Sequence, residues 1–300
     1  IASRSSFELA PGPNPAPLQP DSGPFDIRLG YTALPVRLER LTGAAFRIES
    51  QARPSPGMRA LNEHGLDLIY PEKTQAGLVL LDRTGQPLYT ARYPEFVYEG
   101  FDAIPRLVVA SLLFIEDREL LDDSRPTHNP VLDWERLSKA GTLGLLRYLG
   151  RDDSVIGAST LATQAEKFRH SAGGRTEDIG DKYRQMASAS VRMYRYGADN
   201  RVARRELVTE YLNALPLAGR SDRGEIIGLG DGLAAWYGSD FAAQNRELAG
   251  AETDPEGGAQ AFKQALSLII AARRPSYYLG QSPAALDALT NSYLRVMAKA

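Results

Sequence analysis

The run Leu112-Leu113-Phe114-Ile115-Glu116-Asp117-Arg118-Glu119 delivers a carboxylate at the end of an apolar stretch. An acid rising out of such surroundings suits proton transfer, because poor solvation of its charged form raises its pKa towards working pH. Further along, Gly157-Ala158-Ser159-Thr160-Leu161-Ala162-Thr163-Gln164-Ala165-Glu166-Lys167 turns through small residues into a helix. A helix start of that kind, with a lysine on the helix, suits an anion such as a phosphate. Base and phosphate cradle together point to transfer from a phosphorylated donor. Each segment also has a plainer reading. Glu116 is then a solvated carboxylate at a helix end, and the Gly157 to Thr160 stretch a loop whose Ser or Thr caps a helix.

Positioning these groups falls to helices from Pro105 onward. Leu107, Ala110, Ser111 and Phe114 share one face of a helix ending near Glu116. Trp134, Leu137, Gly141, Leu145, Tyr148 and Leu149 fall at helical spacing, with Arg136, Lys139 and Arg147 interspersed. Gly141 and Gly144 each weaken that helix by about 1 kcal/mol relative to Ala. It reads either as core or as a flap dipping into a membrane surface. Residues 176–196 predict a helix bearing Lys182, Arg184, Arg192 and Arg195, and residues 202–215 one burying Leu207, Val208, Tyr211, Leu212 and Leu215. A last helix runs from Ala261 to Ala272. The cluster Gly228-Leu229-Gly230-Asp231-Gly232 is a weak nucleotide-loop signal, since no strand clearly precedes it. Upstream, Leu78 to Leu81 and Pro87 to Tyr89 flank Asp82-Arg83-Thr84-Gly85 and predict a β-hairpin. The proline-rich stretch from Ala10 to Pro24 reads as an extended linker or a wrapped arm.

Bulk properties bound the answer. A chain of 300 residues can bury a large core, as one domain or two. With 35 basic and 37 acidic residues the charge is nearly balanced, which argues against nucleic acid as a partner. The absence of cysteine excludes disulfides, thiolate nucleophiles and Cys-based metal sites. No apolar run reaches the ~18 residues needed to span a bilayer. The chain opens on Ile, as expected of a piece whose signal or anchor was removed upstream.

In order along the chain, these segments resemble the peptidoglycan glycosyltransferases of family 51, the transglycosylase domain of class A penicillin-binding proteins and their single-domain relatives. Glu116-Asp117-Arg118 resembles the family's opening motif, and Gly157 to Lys167 its Gly-Gly-Ser-Thr motif. Lys182-Tyr183-Arg184-Gln185 sits where Lys-x-Lys-Glu is usual. Glu210-Tyr211-Leu212-Asn213 is similar to the fourth motif, Trp236-Tyr237-Gly238 to the fifth, and Arg273-Arg274-Pro275-Ser276-Tyr277 to the closing stop. The resemblance implies a mainly α, lysozyme-like, two-lobed helical domain over 97–300. A hairpin lead-in at 76–96 and a proline-rich, irregular segment at 1–75 would precede it.

It further implies that lipid II is polymerised into glycan strands with release of undecaprenyl pyrophosphate. Glu116 would be the base, with Gln185 at the position of the family's second acid. Asp117, Arg118, His128, Ser159, Thr160, Gln164, Lys167, Lys182, Arg184, Glu210 and Asn213 would bind substrate. Mg²⁺ or another divalent cation would assist. Partners would be lipid II, the nascent glycan strand, cell-wall synthesis proteins and the membrane surface, met through residues 134–149. The place of action would be the extracytoplasmic face of a bacterial inner membrane.

Several positions depart from the family pattern. Gln185 cannot ionise, so it can neither carry a proton as an acid nor hold a metal as a carboxylate. Glu166 is a candidate replacement carboxylate, displaced in sequence from where that acid would be wanted. The motif's aromatic is Leu120, and its His appears only at His128, beyond Asp122 to Thr127; a surface His on a polar turn is the alternative. His64 and His170 lack partners at ligand spacing, so a histidine metal site is not expected. Three functions stay open: a transferase, a module that binds lipid II, glycan or a protein partner without turnover, and a glycan-cleaving enzyme of the lysozyme type.

Overall fold

The computed structural model describes residues 6–20, 23–70, 72–131, 160–251 and 253–299. The Trp134 to Leu149 helix, its membrane contact and the Gly157 to Ser159 turn lie outside the described residues. The fold is mainly α-helical, with antiparallel strand pairs only among the described residues. The chain divides into two compact units, residues 1–72 with 122–204 and residues 73–121 with 205–300.

In the first unit, β1 (Phe7–Pro11) pairs antiparallel with β2 (Ser50–Pro54), Phe7 opposite Pro54 and Pro11 opposite Ser50. Within the proline-rich stretch, Pro11 ends an edge strand, and Pro24 takes the first turn of α1 (Pro24–Arg28), where a missing N–H costs nothing. Helix α2 (Leu34–Gly43) buries no residue, whereas α3 (Pro56–Glu63), capped by the Ser55 hydroxyl accepting from the Met58 amide, buries Met58. Met58, Leu68 and Ile69 form a core cluster with Phe7, Leu18, Tyr70 and Val191. Two longer helices complete the unit. Helix α5 (Leu161–His170) starts at the Thr160 N-cap, and α6 (Ile179–Met193) at Asp178, whose carboxylate accepts from the Asp181 amide at 2.8 Å.

In the second unit, β3 (Ala76–Leu81) and β4 (Pro87–Tyr93) form the expected hairpin. Asp82 Oδ1 accepts from the Thr84 and Gln86 amides at 2.7 and 2.9 Å, and Gly85 takes φ +83°, which favours glycine. Helix α4 (Arg106–Glu116) buries Val108, Ser111 and Leu112. Helix α7 (Arg201–Ala214) leads into the hairpin β5 (Pro216–Arg220) and β6 (Gly224–Ile227), then α8 (Leu229–Tyr237), α9 (Phe241–Gly250), α10 (Pro255–Ala271) and α11 (Pro283–Met297). Helix α10 is the hub, packing against α4, α8, α9 and α11. Its residues from Ala265 to Ala271 are all buried, so burial encircles it, as a central helix requires.

The glycine cluster at 228–232 has a packing role. A Cβ at Gly230 would meet the Phe96 carbonyl oxygen, and one at Gly232 the Leu217 side chain. The Asp231 carboxylate accepts from the Glu95 and Phe96 amides at 3.0 and 2.7 Å. The cluster therefore fastens the 95–98 segment to the first turn of α8.

Candidate functional site

Helix α4 is apolar almost to its end, where Glu116 is its last residue and Asp117 turns extended (φ −163°, ψ 94°). The Glu116 side chain is only 10% exposed, and its Oε1 lies 3.3 Å from Arg273 Nη2. Arg273 is itself held by the Ile115 carbonyl at 3.4 Å and the Tyr293 hydroxyl at 3.3 Å. The Tyr211 phenol is pushed up in pKa, by burial first and then by the charge of Glu116, which places α7 within electrostatic reach of the acid. Glu210 is half-buried on the same helix. Asp117 Oδ1 accepts from the Glu119 amide at 3.3 Å, and the exposed Arg118 folds back over the Phe114 ring at 4.0 Å. This arrangement is a shielded carboxylate with one guanidinium at its edge, suited to taking a proton from a hydroxyl.

Asn213 is oriented inward. Its Oδ1 accepts from the Tyr98 amide at 2.9 Å and its Nδ2 donates to the Tyr98 carbonyl at 2.8 Å. Both ends of the amide hold backbone, which makes Asn213 a clamp on Tyr98. Asn213→Ala strands two buried backbone groups and should lower stability by about 2–3 kcal/mol in denaturant unfolding.

In the first unit, Thr160 is 1% exposed and caps α5, its Oγ1 accepting from the Thr163 amide at 3.4 Å. Gln164 and Lys167 follow one and two turns later, both half-buried. Burial depresses the Lys167 pKa; burial and then the charge of Lys167 depress that of Lys182 on α6. Two ammonium groups thus share one neighbourhood and oppose each other's charge, a strain that a bound anion relieves. Among the described residues Lys167 makes no ion pair. Arg184 is exposed and pairs with Asp181 at 3.5 Å.

Gln185 is 2% exposed. Its Oε1 accepts from Thr176 Oγ1 at 3.0 Å and its Nε2 donates to Ser171 Oγ at 2.8 Å. The position resembling the family's second acid therefore ties the 171–176 turn to α6. Gln185→Glu should cost about 1 kcal/mol or more without raising any transfer rate, read by denaturant midpoint and turnover side by side. His128 is exposed on the loop after Asp122. That loop is pinned through its carbonyls: Arg204 Nη2 donates to Arg125 and to His128 at 2.7 Å each, and Asn200 Nδ2 to His128 at 2.7 Å.

The sequence reading missed a buried charge cluster. Arg169 Nε lies 2.7 Å from Glu72 Oε2, and Arg192 Nη2 3.2 Å from Glu72 Oε1. Arg192 Nε lies 3.0 Å from Glu166 Oε2, and His170 Nδ1 3.0 Å from Asp26 Oδ1. Glu166 is fully buried within it, so it does not supply the missing acid. Burial raises the Asp67 pKa to about 6, helped by the charge of Glu166. The only local signal was the spacing of Glu166, Arg169 and His170 on one helix; Asp26 and Glu72 arrive from far upstream.

A cavity of about 530 Å³ lies in the second unit, lined by residues of α8, α10 and α11 including Trp236, Gln264 and Leu286; Glu116 does not line it. Among the described residues no group of three His, Asp or Glu side chains could hold a metal ion, and no helix is long and apolar enough to cross a membrane. The family model described as Transglycosylase matches residues 84–298, most of the chain. No curated protein gives a significant match.

Proposed function

Because the chain belongs to the transglycosylase family, we propose that it is a peptidoglycan glycosyltransferase acting on lipid II at the extracytoplasmic face of a bacterial membrane. Glu116 takes the proton from the acceptor sugar hydroxyl as that oxygen bonds to the donor's anomeric carbon. The bond from that carbon to the pyrophosphate oxygen breaks, and undecaprenyl pyrophosphate leaves. A sugar hydroxyl is a very weak acid, so proton transfer accompanies attack. Lys167 and Lys182 meet the charge that grows on the leaving pyrophosphate, with Gln164 beside them, which favours the transition state over the ground state.

The observation that carries this reading is the shielded Glu116 carboxylate at the end of an apolar helix, edged by Arg273. The described residues do not fit a protein-held divalent cation, since no group of three His, Asp or Glu side chains among them could hold one and Gln185 is neutral. The partners this reading implies are lipid II and the nascent glycan strand, together with other cell-wall synthesis proteins.

A second reading, binding of lipid II without turnover, is favoured by the buried neutral amide of Gln185. Incubating the chain with labelled lipid II in detergent, with and without Mg²⁺, and in parallel with labelled preformed glycan, separates the two. Polymer is expected; retained binding without polymer supports the second reading, and soluble fragments released from preformed glycan overturn both.

A further inference from the structure

We propose that Asp26 and Glu72, which lie upstream of the family-matched region, are positioning residues that lock α5 and α6 in the orientation needed to bind the donor pyrophosphate. The proposal rests on the reading that Lys167 and Lys182 meet that pyrophosphate.

The geometry is a cross-brace. One oxygen of Glu72 holds Arg169 on α5 at 2.7 Å, while the other lies 3.2 Å from Arg192 on α6. These are the helices that carry Lys167 and Lys182. Asp26 adds a second anchor on α5 through His170 at 3.0 Å, and the same carboxylate accepts from the Gly23 amide at 3.0 Å. Gly23 lies so close to the Arg169 carbonyl that any Cβ there would collide with it. The arm is therefore fitted to the last turn of α5 by shape as well as by charge.

Charge balance makes the arm necessary. Without Asp26 and Glu72, the buried cations Arg169, Arg192 and His170 would lose two carboxylates that contact them, with Glu166 and the nearby Asp67 left to balance them. Unbalanced buried charge is relieved by movement or by water entry. Lys167 sits in the same turn of α5 as Glu166 and Arg169, so any roll of the helix that relaxed the cluster would carry Lys167 with it.

The test uses the full chain with Glu72→Gln and Asp26→Asn, near-isosteric changes that remove charge. The lipid II KM should rise about 10–100-fold, with kcat changing less, because a misplaced donor site costs affinity first. Should the chain bind without turnover, affinity for inorganic pyrophosphate replaces KM, so failure of the transferase reading and failure of this one are told apart. Amide exchange across residues 161–193 should quicken, and the His170 imidazole titration should move below about 9. Glu72→Asp should recover part of the affinity. If Glu72→Gln fails to fold, Asp26→Asn and Glu72→Asp decide. Donor affinity unchanged in folded variants, even with a lowered melting temperature, overturns the proposal.

Discussion

Glu116→Gln should lower polymerisation of lipid II by about 10³-fold while leaving the fold intact. The amide keeps the shape of the carboxylate and can still accept from Arg273 Nη2, which lies 3.3 Å away. What it loses is the capacity to accept the hydroxyl proton during attack, an effect that typically amounts to 10²–10⁴-fold. The measurement is turnover of labelled lipid II beside a melting curve. A variant within tenfold of the parent, with unchanged stability, would remove Glu116 from the role of base.

The second large effect is on stability. Arg192→Leu should destabilise the first unit by about 3–5 kcal/mol, since breaking a buried charge network by removing one member leaves its partners uncompensated. Arg192 is 1% exposed and pairs with Glu166 at 3.0 Å and Glu72 at 3.2 Å, so two carboxylates lose a counter-charge at once. Denaturant unfolding reads this directly. A loss under about 1 kcal/mol would mean that the cluster carries little net energy.

The same cluster sets a pH window. Burial opposes ionisation of Glu72 and Glu166, but Arg192 with Arg169 and His170 outweighs it and holds both carboxyls below the usual range. Their contribution is complete above about 4.5 and is lost as pH falls below it. Burial likewise opposes the charge on His170, yet Asp26, Glu72 and Glu166 raise its pKa to about 9. Arg192 Nη2, 3.2 Å from His170 Nε2, works against that charge, and Arg169 and Asp67 complete the charged surroundings. The His170 contribution, on the order of 3 kcal/mol, is complete below its ordinary pKa of 6.5 and disappears as pH rises towards 9. Asp67, raised to about 6, runs the other way: it costs stability as pH climbs from its ordinary value of 3.8 towards 6.

Local periodicity revealed the helices around α4, α6, α7 and α10, and the Asp82 to Gly85 turn revealed the β3–β4 hairpin. Those signals depend on neighbouring residues. Helix α9 went unread because Phe241-Ala242-Ala243-Gln244-Asn245 carries a weak apolar stripe; it is fixed instead by the Asp240 cap on the Ala243 amide and by Gln244 donating to the Ala261 carbonyl at 3.2 Å. Asn213 and Gln185 were read as site residues by resemblance. An amide that can both donate and accept is also the natural clamp for a backbone or a pair of hydroxyls, and only coordinates tell the two uses apart. Arg273 was visible as part of the closing motif, but its contact with Glu116 spans 157 residues. Asp26 finds His170 across 144 residues. No spacing rule reaches that far.

That long separation has a consequence for how the molecule is made. The first unit is discontinuous, so as the chain emerges from the ribosome its early carboxylates have no counter-charges until α5 and α6 have been synthesised. Closing so long a loop precedes any reward from the ion pairs, which places completion of this unit late and makes it slow relative to the local hairpins and single helices.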